Sequence, residues 1–232
     1  MKLLYFEVKS SVAHFRRPDT TSTHATYPFI TRTAIQGLLA AVMGWESWSG
    51  SLWSGVELLS PPVTKVQQLS MLGKGFLDKD GDIFNRPTTV ELLVNPHYRI
   101  FVAGDHLDAL AERLASNRSV YHTYLGSAFA LTVPFAVGVD DVEPLPPTTS
   151  DSWSARTVLP VHAVQALEAT AGAQFARVGG IPYEILPGRR FRGSVAVLYE
   201  KRGRPIEFYP STGPFAPEVR FVPWQGQVVA LW

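Results

Sequence analysis

The fold is read from one stretch, Tyr27-Pro28-Phe29-Ile30-Thr31-Arg32-Thr33-Ala34-Ile35-Gln36-Gly37-Leu38-Leu39-Ala40-Ala41-Val42-Met43-Gly44. Within it Ile35, Leu38, Leu39, Val42 and Met43 recur at i, i+3, i+4 spacing, which predicts an amphipathic helix. Thr33 and Gln36 have the spacing of a capping box, and Gly44 suits a left-handed stop. Gly37 lies inside the helix, where glycine costs about 1 kcal/mol against alanine. Close approach of another backbone is the expected compensation. Upstream, Lys2 to Lys9 alternates and reads as a strand. Leu4, Phe6 and Val8 form its inward face, with Leu3, Tyr5 and Glu7 on the other. Ser10 to Thr26 is polar, basic and without period, and reads as a loop.

Downstream, Val63 to Leu72 reads as a strand, followed by a turn-rich tip from Gly73 to Asp82. Ile83 to Val94 runs back, interrupted by Pro87, which predicts a long irregular hairpin. Tyr98 to Val102 is a short strand, Asp105 to Ser116 a helix with Leu107, Leu110, Ala111 and Leu114 inward, and Ala128 to Val139 a strand. Strand, helix, strand, then strand, helix, strand is the α+β order of a ferredoxin-like or RRM-like domain over residues 1–140. Asp141 to Ser150, with Pro144, Pro146 and Pro147, reads as a linker. Beyond it, short strands at Arg156–His162, Ala173–Val178, Arg190–Lys201 and Gln227–Leu231 predict a small β-rich C-terminal domain over 151–232.

A chain of 232 residues with 46% hydrophobic positions and a net charge of +1 can build a core, which excludes wholesale disorder. The lack of cysteine excludes disulfides, thiolate zinc sites and cysteine nucleophiles. No window nears about 18 uninterrupted apolar residues. Lys2 and Glu7 come too early for a signal peptide, so the expectation is a cytoplasmic protein with no membrane partner. Net charge hides an asymmetry. From Ala173 to Arg204 seven Lys/Arg face two acids, while from Asp105 to Asp151 seven acids face two arginines. A segregated basic surface suits a polyanion, or equally a strand edge guarded by charge.

Three segments carry candidate binding chemistry. His14-Phe15-Arg16-Arg17-Pro18, Tyr27-Pro28-Phe29 and Arg32-Thr33 gather arginines and rings ahead of a helix N-terminus. Free N–H groups there attract phosphate, arginines add bidentate contacts, and Tyr27 or Phe29 offers a stacking face to a splayed base. A basic loop with ordinary capping is the alternative. At the hairpin tip, Gly73, Gly75 and Gly81 allow close approach, and Lys74 and Lys79 add charge. Asp78, Asp80 and Asp82 alternate as in a calcium loop but lack the later glutamate and flanking helices. Leu186-Pro187-Gly188-Arg189-Arg190-Phe191-Arg192-Gly193 is a glycine turn with three arginines, suited to an RNA backbone or to a charged hairpin end.

For catalysis the sequence is thin. The six histidines show no metal spacing, and Gly73-Lys74-Gly75 lacks a P-loop frame. A metal-independent ribonuclease needs a base and an acid, which His14, His24, His97-Tyr98-Arg99 or His122-Thr123-Tyr124 would have to supply.

Taken together, these residues resemble the Cas-five family of CRISPR-associated RAMP proteins, subunits of type I Cascade. The likeness runs from Phe15-Arg16-Arg17-Pro18 through Tyr27 to Gly44, then Asn85-Arg86-Pro87, Asn95-Pro96-His97-Tyr98-Arg99-Ile100 and Tyr121-His122-Thr123-Tyr124-Leu125-Gly126. The resemblance implies a thumb hairpin over about 68–90 and binding of the five-prime handle of CRISPR RNA, capping the backbone filament. Partners would be the backbone RAMP subunit, the large subunit and, through the complex, target DNA. The RNA-contacting set would be Arg16, Arg17, Tyr27, Phe29, Arg32, Thr33, Lys74, Arg86, Arg189, Arg190 and Arg192. No cofactor is implied. One branch, in type I-C systems, cuts precursor RNA with tyrosine, lysine and histidine. Here Tyr98 precedes Arg99 rather than a Lys-His pair. The expectation is therefore a non-catalytic, type I-B-like subunit; a processing endoribonuclease and a generic RRM-like module are the alternatives.

Overall fold

A computed structural model describes residues 1–74, 83–148, 150–186, 188, 190–214 and 217–232; the side chains at 73, 74, 83 and 84 fall outside it. In chain order the elements begin β1 (Lys2–Lys9), β2 (Val12–Ala13), β3 (Thr23–His24), α1 (Arg32–Met43), β4 (Leu52–Leu58), β5 (Thr64–Lys74) and β6 (Ile83–Val94). They continue β7 (His97–Gly104), α2 (Leu107–Ala115), β8 (Phe135–Asp141), β9 (Trp153–Ala155), β10 (Leu159–Pro160) and β11 (Val164–Leu167). The last are β12 (Phe175–Leu186), β13 (Arg190–Glu200), β14 (Ile206–Pro210), β15 (Arg220–Trp224) and β16 (Gln227–Leu231). Strands dominate this α/β fold, with two α-helices among the described residues.

The first sheet has the order β4-β7-β1-β8, with β1 antiparallel to both neighbours. Alternation along β1 works as expected: Leu4, Phe6 and Val8 are fully buried, in one core with Tyr98, Ile100 and Val102 and with Ile35, Leu38, Leu39 and Val42 of α1. Burying each such side chain is worth about 1.5–3 kcal/mol, so this face anchors α1. Leu3 is fully buried as well, because the opposite face is covered too. There Leu3, Phe101 and Ala103 meet Val222, Trp224, Val229 and Leu231 of β15 and β16.

Several sequence expectations shift. The cap of α1 is Thr31, whose hydroxyl accepts from the Ala34 N–H, so the helix starts earlier than a Thr33–Gln36 box would allow. Gly44 does stop it, at φ 79°. A Cβ on Gly37 would meet nothing within 4 Å, so no close backbone explains that glycine. The sheet's second strand is β4, not an arm of the hairpin. β4 is buried on nearly every residue, so it carries no period-two pattern.

The hairpin itself is regular rather than irregular: β5 and β6 pair without a shift from Thr64↔Leu93 to Lys74↔Ile83, straight through Ser70↔Pro87. Residues 10–26 are more than a loop, because β2 and β3 pair with the other side of β6. Helix α2 begins at Leu107 behind His106, which sits at φ 63°. Residues 128–134 are not strand; β8 starts at Phe135. In the C-terminal half, Arg156–His162 contains only β10 and a turn of 3-10 helix, and β12 extends far past Val178. The tip at Gly75 to Asp82 lies outside the described residues.

Candidate nucleic-acid interface

An RRM-type sheet reads RNA with rings exposed on its open face. Here that face is not open: Phe101 is fully buried with its ring centroid 4.9 Å from that of Trp224. Further along, Glu7, His97, Arg99 and Glu57 saturate one another. Arg99 bridges Glu7 at 2.7 Å and Glu57 at 2.8 Å, His97 Nε2 lies 2.8 Å from Glu7, and Arg156 joins Glu57 at 2.9 Å. Burial alone would raise the Glu7 carboxyl, but hydrogen bonds from Arg99 and His97 outweigh it and hold the group below its ordinary range. This sheet face therefore offers no open ring surface among the described residues.

A cavity opens at the N-terminus of α1. The segment after β1 folds back on itself, with the Phe15 N–H donating to Thr26 Oγ1 at 2.9 Å and the Tyr27 N–H to the Phe15 carbonyl at 2.8 Å. This sets His14 and Phe15 inward and leaves Arg16 exposed. Residues 122–126 close the next side. Gly126, at φ 81°, lets the chain pass so close to His14 that a Cβ would lie 2.1 Å from its carbonyl oxygen. The far end of the β12–β13 hairpin supplies the last wall through Pro182, Ile185 and Phe191. Together they enclose a cavity of about 330 Å³, at the lower end of the range for small-ligand pockets.

Arg16 brings positive charge to the lining. Burial first, then the charges of Arg16, His14 and Arg86, push the His24 imidazole below its ordinary value, so Arg16 and Arg86 act on the same ring. His14 is likewise pushed down, chiefly by burial, with its Nδ1 2.8 Å from the Glu91 carbonyl. Both imidazoles are neutral at pH 7, and the positive potential comes from arginine. Arg17 lies over the ring of the lining Tyr27 at 5.9 Å and pairs with Asp19 at 2.7 Å in an exposed contact of little strength.

The sequence-predicted residues divide into two groups. Arg16 and Thr33 line the cavity, Arg17 lies over the ring of the lining Tyr27 at 5.9 Å, and Arg86 acts with Arg16 on the His24 ring. Tyr27 lines the cavity but is only 3% exposed, and Phe29 and Arg32 do not line it. Phe29 is 1% exposed and set edge-on against Tyr199, and the hydroxyl of the buried Tyr27 donates to the Gly180 carbonyl.

Arg32 is a tie between elements. Its guanidinium donates to the main-chain oxygens of Leu52 at 2.7 Å, Tyr183 at 3.1 Å and Trp232, and stacks over the Tyr183 ring at 4.7 Å. Arg192 is engaged by Glu184 at 2.8 Å, and Arg190 is exposed on the same strand. Arg189 and the Lys74 side chain lie outside the described residues. Sequence reasoning missed the cavity role of Gly37, Tyr124 and Phe191. Gly37 does stand out in the sequence as a mid-helix glycine, but there it reads as a site of close backbone approach, which the structure does not show.

Among the described residues no group of histidine and carboxylates could hold a metal ion, and no helix is long and apolar enough to cross a membrane. The family described as CRISPR-associated protein (Cas_Cas5) matches residues 3–137. No curated protein matches the chain. Among solved structures, a chain of a "CRISPR RNA-guided surveillance complex" is similar at 17% identity and a TM-score of 0.55, covering 90% of this chain and 94% of its own. A CRISPR protein from Archaeoglobus fulgidus is similar at 12% identity and a TM-score of 0.58, with 99% of each chain covered. At these identities the likeness is one of fold.

Proposed function

The chain belongs to the CRISPR-associated Cas5 family, and on that premise we propose that it binds CRISPR RNA at the arginine-rimmed cavity, holding the five-prime handle without cutting it. The observation that carries this reading is the cavity itself: the groove beside α1 is lined by Arg16, with Arg17 over the ring of the lining Tyr27 and Arg86 acting with Arg16 on His24, whereas the alternative sheet face is covered. The order β4-β7-β1-β8, built from two strand-helix-strand halves, supports reading residues 1–140 as RRM-like.

The β5–β6 hairpin fits a thumb. Val66, Met71 and Leu72 are 62%, 42% and 79% exposed on its first arm, an apolar load that suits packing against RNA and a neighbouring backbone subunit. Similarity to a chain of an RNA-guided surveillance complex supports membership of a type I Cascade, with a large subunit and target DNA as further partners.

One observation favours a second reading. His14 and His122 line the same cavity, the arrangement a metal-independent ribonuclease would need for base and acid. Labelled repeat RNA incubated with the purified chain in EDTA decides between them. Retention of intact RNA is the expected result. Specific cleavage that His14→Ala or His122→Ala abolishes would replace binding with processing.

A further inference from the structure

We propose that the cavity over Gly37 receives one unstacked nucleobase of the bound strand, an inference that rests on the RNA-binding reading above. Glycine inside a helix needs a reason, and the two usual ones fail here. The backbone at Gly37 is ordinary helix, since its φ is not among the positive ones. No neighbour approaches, because a Cβ there would meet nothing within 4 Å. What the missing side chain does is leave the floor of the cavity open.

The walls suit a flat aromatic guest with polar edges. Phe191 and Ile185 are 52% and 42% exposed and Tyr124 is 45% exposed, apolar surface held at the cavity without a covering partner. Stacking on such a ring is the sequence-tolerant way proteins hold single-stranded bases. Thr33, His14 and His122 line the same space and supply hydroxyl and imidazole groups for a base edge, while Arg16 stands where the attached phosphate would pass. A phosphate alone would not need the apolar walls, and an aliphatic guest would not need the arginine.

The test uses the full chain with fluorescein-labelled A, C and U oligonucleotides of about eight residues, within the usual site size for single strands. Each is made intact and with one abasic position moved along it. Gly37→Leu fills the floor. It is expected to weaken the best intact oligonucleotide roughly ten-fold, about the effect of losing one stacked base. For one abasic position, wild type and Gly37→Leu should bind equally. Gly37→Ala should raise the melting temperature by about 2–4 °C, as helix propensity requires, while still weakening binding. It also decides the matter if the leucine variant does not fold.

Wild-type binding that neither variant alters overturns the base pocket and leaves the RNA reading standing. Equal weakening on intact and on every abasic strand also overturns the pocket. Failure of the wild-type chain to bind any strand overturns both.

Discussion

Arg32→Met separates a structural arginine from a phosphate-binding one. Methionine keeps an apolar stem in the same space but removes three charged donors from a residue that is only 8% exposed. The Trp232 oxygen keeps a second donor, the Ser54 N–H at 3.2 Å, so the loss falls on the carbonyls of Leu52 and Tyr183. Leaving a buried acceptor without its donor costs about 1–3 kcal/mol, and with Leu52 buried but Tyr183 only half-buried the two give about 2–5 kcal/mol. Part of this is offset because burial disfavours the guanidinium, which holds its pKa below the ordinary arginine value. A net loss of about 2–4 kcal/mol lowers the melting temperature of a chain of this size by roughly 5–15 °C. Urea unfolding followed by circular dichroism reads the first figure and a thermal scan the second. Affinity of the folded variant for RNA should keep the wild-type salt dependence. A variant that melts like wild type but whose salt slope falls by about 0.7 would mean that Arg32 holds a phosphate, and the tie described above would be wrong.

Two further outcomes follow from the rim and the sheet. Arg16→Ala and Arg86→Ala should each leave stability within about 0.5 kcal/mol of wild type. Each should reduce the log-log salt slope of single-stranded RNA binding by about 0.7; filter binding between low and moderate salt measures this, and unchanged slopes in both would remove them from the interface. Glu7→Gln should alter the acid limb of stability: because the folded carboxyl titrates below its ordinary value of 4.5, its contribution is complete above that pH and disappears as pH falls through the folded pKa. The gap in melting temperature between wild type and Glu7→Gln is therefore expected to narrow below about pH 4.5; a gap constant from pH 7 to pH 3 would show that the Arg99 and His97 hydrogen bonds do not hold Glu7 down.

What the sequence made legible was periodicity. Alternation placed Leu4, Phe6 and Val8 inward, and helical spacing placed Ile35, Leu38, Leu39 and Val42 in the core, because each element buries one face. Where both faces are buried the signal vanishes, as in β4, whose Leu-Trp-Ser-Gly-Val-Glu-Leu run has neither period. The same limit governed the site. Arg16 and Arg32 sit in similar basic, turn-rich surroundings in the sequence. Contacts from residues 20, 151 and 200 positions away make Arg32 structural. Tyr27 and Phe29 looked like stacking rings because rings and arginines alternate, yet partners from β12 and β13 bury them. Conversely Phe191, given no role of its own in the Leu186 to Gly193 segment, lines the cavity, since side chains alternate along a strand.

Photocrosslinking most directly tests the claim that RNA lies between the segment after β1 and the β12–β13 hairpin. Repeat-derived RNA carrying 4-thiouridine at successive positions is irradiated with the full chain, and crosslinked peptides are mapped by mass spectrometry. The account predicts intact RNA with crosslinks in peptides carrying His14 to Arg17, His122 to Tyr124 and Ile185 or Phe191. Crosslinks concentrated on β15 and β16, or on the Glu7–Arg99 face of the sheet, would contradict it.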